Sequence, residues 1–77
     1  MLIKVLIFGQ LTDLFKVSEL NVEDVSDKDQ LVRRLTEKYP AFAHVKCRIA
    51  IDKKLSTGNE TISNNSVVAL LPPFSGG

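Results

Sequence analysis

Cysteine is almost absent from this chain of 77 residues; with Cys47 alone, no internal disulfide can staple the fold. The core must hold it unaided, and such cysteine usage fits a reducing compartment, so a cytoplasmic location is expected. Tryptophan is missing, and the one histidine, His44, has no second histidine or cysteine at ligand spacing, so no metal site is expected. An excess of charge is missing as well. Ten Lys and Arg against nine Asp and Glu leave a net charge of +1, too weak a field to gather nucleic acid or anionic lipid. No apolar stretch approaches the roughly 18 residues of a membrane span, and the opening Met1 to Phe8, with Lys4 inside it, has no cleavage-site pattern. Neither membrane insertion nor secretion is expected. Neither linker nor repeat interrupts the chain, which predicts one domain over residues 1–77, too small to enclose much of an active site.

What is present is a strong alternation of element signals. Leu2 to Phe8 is nearly continuous in apolar residues and rich in the β-branched Ile3, Val5 and Ile7, which predicts a central strand buried on both faces. Leu11, Leu14 and Phe15 recur at helical spacing and suit a short helix; Val17 to Val22 suggests a second strand beside the first. Val25 to Pro40 predicts the main helix. Ser26 or Asp27 can cap it, Asp29 or Gln30 stands three residues on, and Leu31, Val32, Leu35 and Tyr39 form one apolar stripe. A loop from Pro40 to Lys46 precedes a half-buried strand in which Cys47, Ile49 and Ile51 alternate with Arg48, Ala50 and Asp52. The polar stretch Lys53 to Asn65 offers left-handed turns at Gly58-Asn59 and Asn64-Asn65, anchors at Leu55 and Ile62, and a short strand around Glu60 to Ile62. Val67 to Leu71 predicts a second central strand. The order implies an α+β fold of β-grasp type: a mixed sheet of four to five strands packed by one main helix, with the first and last strands adjacent and parallel.

The last six residues, Pro72-Pro73-Phe74-Ser75-Gly76-Gly77, cannot continue a sheet. Two prolines remove two backbone donors and favour an extended path, so the tail is expected to leave the body and reach on the order of 20 Å. Glycines at the end permit entry into a channel too narrow for a side chain. A terminal carboxylate, with an ordinary pKa of about 3.5, is ionised at neutral pH and can attack the α-phosphate of ATP. A sulfur donor that then displaces AMP leaves a thiocarboxylate, a soft nucleophile no standard side chain supplies. Terminal glycines alone more often mark a frayed end. Their position directly after a strand and two prolines is what favours a working tail.

Leu70-Leu71-Pro72-Pro73-Phe74-Ser75-Gly76-Gly77 resembles the ending of the MoaD branch of the MoaD/ThiS ubiquitin-like sulfur carriers. Ile3-Lys4-Val5-Leu6-Ile7-Phe8-Gly9, Tyr39-Pro40 at the helix end and Ala50-Ile51-Asp52 before Leu55 are similar to that family's pattern in order and spacing. The resemblance implies a small, non-catalytic subunit of molybdopterin synthase that binds no cofactor itself. A MoeB-like activating enzyme would use ATP to adenylate Gly77, and a sulfur donor system would convert it to a thiocarboxylate. The tail, Gly76 and Gly77 foremost, would then enter a pocket of a MoaE-like large subunit in a heterotetramer and pass sulfur to cyclic pyranopterin monophosphate to build the dithiolene. It also implies that Phe8, Leu55 and Leu71, with Pro72, Pro73, Phe74 and Ser75, face the partners; the competing reading of Phe8, Leu55 and Leu71 is plain core packing. Three places depart from the pattern: Thr12, where some relatives have a basic residue, Asp52 in place of asparagine, and Asn64-Asn65-Ser66 before the last strand.

Other readings stand beside this one. A thiazole-pathway (ThiS-like) carrier shares the glycines but typically not the double proline. A ubiquitin-like modifier would instead join Gly77 to lysines, and a plain interaction domain would have an inert tail. Cys47 reads as a small hydrophobe rather than a nucleophile, and Arg33, Arg34, Lys38, Lys53 and Lys54 as solvated surface balanced by Asp29, Glu37 and Asp52.

Overall fold

The computed structural model describes residues 2–72. Strand β1 (Leu2–Ile7) is followed by a short helix α1 (Leu11–Phe15), strand β2 (Glu19–Glu23), the main helix α2 (Lys28–Lys38), a 3-10 turn (Pro40–His44), and strands β3 (Arg48–Ile51), β4 (Lys54–Leu55) and β5 (Val67–Leu71). The five strands form one sheet in the order β2-β1-β5-β3-β4. Only β1 and β5 run parallel; the other neighbours are antiparallel. This is the ubiquitin-like β-grasp arrangement the sequence predicts.

Helix α2 starts where its cap residues dictate. The Asp27 carboxylate accepts from the Gln30 amide at 2.9 Å, and the Gln30 side chain in turn accepts from the Ser26 amide at 2.9 Å. Two otherwise orphaned amides are thereby satisfied at one end. From further along the chain, the Asn59 side chain accepts from the Asp29 amide at 2.8 Å, and the Lys28 amide reaches the Glu60 carbonyl at 2.9 Å. The polar stretch after β4 is thus pinned to the helix. Leu31 and Leu35 on α2 are buried, with Val32 and Tyr39 packed against the core they enter. Phe15 closes one end, meeting the Tyr39 and Phe42 rings edge-on at 4.7 and 5.4 Å. Such arrangements satisfy the ring quadrupoles as well as burying area.

Several expectations need correction. β1 and β5 are buried on one face, not both: Ile3, Val5, Ile7, Val68 and Leu70 point into the core, while Leu2 and Val67 are exposed. Both helices contribute to the core on a single side, so the continuous apolar runs face a helix layer with every second residue only. Pro40 to His44 is an ordered 3-10 turn rather than an open loop, because Phe42 is drawn into the core. The short extra strand is Lys54–Leu55, whereas near Glu60 to Ile62 there is one bridge, Asp27 to Thr61. Leu55 does not anchor the polar stretch, being half exposed; Ile62 does.

The left-handed turn expected at Gly58-Asn59 is found instead at Asp52 (φ +50) and Lys53 (φ +73), with Asn65 (φ +70) as predicted. Two successive left-handed residues make the tight β3–β4 hairpin, an arrangement that usually asks for glycine. Asp52 offsets the strain through its partners. Its carboxylate accepts from the Val67 amide and from the buried Ser66 hydroxyl, each at 3.0 Å, and its own amide donates to the Val67 carbonyl at 2.9 Å. Ser66 Oγ also accepts from the Ser63 amide at 3.1 Å. Replacing Ser66 by alanine removes the centre of this network, and urea unfolding should show a loss of about 1–2 kcal/mol.

Candidate functional site

Strand parity and register build a surface from residues far apart in sequence. With Ile3, Val5 and Ile7 inward, Leu2, Lys4 and Leu6 face out, and Phe8 follows them at the end of β1. The pairs Leu6 with Ala69, Ala69 with Ala50, and Ala50 with Leu55 lay one apolar row across four strands. Glu19 continues that row on β2, and Arg48 lies beside Leu71 one step along β5. Among the described residues, no helix covers this face. Phe8 is 45% exposed and Leu55 51%, while Ala50 is buried among its neighbours because it is small. Burying the exposed half of either large side chain against a partner is worth about 1 kcal/mol. An apolar centre with charged margins has the anatomy of a docking surface.

The same face leads to the base of the tail. The last ladder bond on this side runs from the Phe8 amide to the Leu70 carbonyl at 3.1 Å. Leu71 is half-buried, and Pro72, also half-buried, lies beside Gly9 in the turn that joins β1 to α1. Of the residues expected to face partners, Phe8, Leu55, Leu71 and Pro72 therefore lie on or next to one surface, and core packing does not describe Phe8 or Leu55. Pro73, Phe74, Ser75, Gly76 and Gly77 lie outside the described residues. Leu6, Ala50 and Ala69 were absent from the expected set; strict alternation from Ile3 and Val68 is the signal that would have included them.

Chemistry within the body is sparse. Cys47 is free, and burial pushes its thiol pKa up, which disfavours the thiolate a nucleophile needs. His44 ends the 3-10 turn on the surface. Among the described residues, no group of three or more His, Cys, Asp and Glu side chains is placed to hold a metal ion, and no helix is long and apolar enough to cross a membrane. A depression of about 390 Å³ between α2, β3 and β4 touches Lys28, Cys47, Arg48, Ile49, Leu55 and Ser56, and it brings together no acid–base pair.

Residues 5–77 match the ThiS family model. A molybdopterin synthase sulfur carrier subunit from Caenorhabditis briggsae is 31% identical over 81 aligned positions, covering 97% of this chain and 96% of that protein. Among solved structures, a chain of the protein–protein complex of subunits 1 and 2 of molybdopterin-converting factor from Helicobacter pylori resembles this fold. The match has a TM-score of 0.75 and 29% identity, covering all of both chains. A molybdopterin converting factor subunit 1 from Pyrococcus furiosus superposes with a TM-score of 0.87 over 95% of this chain and 98% of that one; at 19% identity it bears on the fold alone.

The division between core and exposed face is measurable on adjacent strands. Leu55→Ala should change the unfolding free energy by less than about 0.5 kcal/mol. Ile51→Ala, one hairpin away and buried, should cost about 2–5 kcal/mol in the same denaturant titration.

Proposed function

The chain belongs to the ThiS family, and from that premise we propose that it is the sulfur-carrier subunit of a molybdopterin synthase. The observation that carries this reading is the uncovered apolar row Leu6, Ala69, Ala50 and Leu55, flanked by Phe8 and Leu71 and running to the base of a tail that ends Gly76-Gly77. A carrier needs a surface that enzymes can grip and a reactive end that reaches past it. Here the row crosses β5, and the residues that end Gly76-Gly77 follow β5 in sequence. The near full-length similarity to the Caenorhabditis carrier supports the pathway, and the Helicobacter complex supports a second subunit as the partner.

In the proposed cycle the Gly77 carboxylate attacks the α-phosphate of ATP on a MoeB-like enzyme, forming an acyl-adenylate and releasing pyrophosphate. A sulfur donor then attacks the acyl carbon, AMP departs, and Gly77 carries a thiocarboxylate. Bound to a MoaE-like subunit, the thiocarboxylate sulfur bonds to the pterin, water then cleaves the acyl carbon–sulfur bond, and the sulfur stays in the dithiolene of molybdopterin while the carrier returns as the carboxylate. The role of the body in each step is to dock and to aim. It contributes no proton-transfer group, and the side chains that act on the pterin belong to the large subunit.

Intact mass after incubation with activating enzyme, ATP and a sulfur donor should rise by the difference between one sulfur and one oxygen, and the rise should vanish when Gly77 is deleted. An unmodified chain under conditions that charge a known carrier would overturn the proposal. Lysine-linked adducts in place of the thiocarboxylate would assign the tail to protein modification.

A further inference from the structure

We propose that Gly9 is a positioning residue for the tail: by carrying no side chain it keeps open the space the Pro72 ring occupies, and so sets the direction in which the chain leaves β5. The proposal rests on the reading that Gly77 is the reactive end, since only then does that direction affect a reaction.

Two observations at Gly9 have different consequences. Its φ of +60° places it in the left-handed region, where glycine is favoured but asparagine is tolerated. A turn alone would therefore not demand glycine. The second observation does: a Cβ at this position would lie 2.6 Å from Pro72 Cγ and 3.5 Å from Pro72 Cδ. Carbon atoms in contact sit about 3.5–4.0 Å apart, so any side chain here pushes the ring away by about 1 Å.

The contact is held firmly on the Gly9 side. The Gly9 carbonyl accepts from both the amide and the hydroxyl of Thr12, at 3.1 and 2.8 Å, and the Phe8 carbonyl accepts from the Leu11 amide at 3.3 Å. The turn is also tied to β5 through the Phe8 amide. Pro72 is the weaker side. Lacking an amide hydrogen, it cannot extend the ladder, and its ring lies where a side chain on residue 9 would stand. Thr12 has a local role here, because its hydroxyl braces the Gly9 peptide.

Pro72 is where the chain begins its path toward Gly77, and the placing of a reacting group bears strongly on rate: a misplacement of about 1 Å can cost on the order of a hundredfold. Docking through Leu6, Phe8 and Leu55 is untouched by the same change. Gly9 substitutions should therefore slow turnover without weakening recognition.

The test compares wild type, Gly9→Asn, Pro72→Ala and the double variant as substrates of the activating enzyme, following pyrophosphate release. Asparagine preserves the left-handed turn while adding the Cβ. Gly9→Asn should lower kcat at least tenfold with KM within twofold of wild type. In the Pro72→Ala background, where Cγ and Cδ are gone, the same substitution should cost less than threefold. A wild-type kcat for Gly9→Asn, a loss confined to KM, or equal losses in both backgrounds would overturn the proposal. Independently of any activity, the wild-type NOESY spectrum should contain Gly9 Hα to Pro72 Hγ cross-peaks; their absence would overturn it as well. Failure of the wild-type chain to be activated, with those cross-peaks present, would instead count against the carrier function.

Discussion

Parallel hydrogen bonding between β1 and β5, from Lys4 beside Val67 to Ile7 beside Leu70, ties the two ends of the chain together. A parallel pair cannot be closed by a tight turn, so everything between the two strands must make a crossover. β2, α2, β3 and β4 are that crossover, and α2 covers one face of the sheet as it passes. The pairing also places the end of β5 at the middle of the sheet and next to the β1–α1 turn, so that the chain leaves the body beside Gly9 rather than from a frayed edge.

Covering one face leaves the other to water, and the composition of that other face is not what solvent alone would select. Leu6, Phe8, Leu55, Ala69 and Leu71 occupy outward positions where a free-standing sheet would carry polar residues. Lys4 and Glu19, 3.8 Å apart at the β1–β2 side, and Arg48 beside Leu71 mark its margins. Exposed ion pairs of this kind contribute little to stability. In the proposed carrier their use is in choosing what docks. In a protein of this size the core is concentrated on the helix side, and in the proposed carrier the remaining apolar surface is held for partners.

Sequence periodicity carried much of this architecture. Asp27, Gln30 and the stripe of Leu31 and Leu35 announced α2, and the two apolar runs announced β1 and β5. What periodicity could not convey was how many layers the sheet has, because a run of apolar residues reads the same whether its second face meets a helix or a partner. The Asp52-Lys53 hairpin was hidden for another reason: its left-handed residues are neither glycine nor asparagine, and they are supported by Ser66 and Val67 from a distant strand. For the candidate face, Phe8, Leu55 and Leu71 came from likeness to a family; alternation along each strand turns Leu6, Ala50 and Ala69 outward, and only the register joins them into one row. Gly9 had no local signal, since its constraint comes from Pro72 at the other end of the chain.

In the proposed carrier, one uncovered face grips the partners while the tail beside it reaches forward. Methyl- and amide-detected NMR of the labelled protein, titrated with its MoaE-like large subunit, tests this directly. The signals of Leu6, Phe8, Leu55, Ala69 and Leu71 should shift or broaden on binding, while the amides of Arg33 and Glu37 on the solvent side of α2 stay unchanged. Perturbation centred on α2, with Leu55 and Leu71 unaffected, would contradict it.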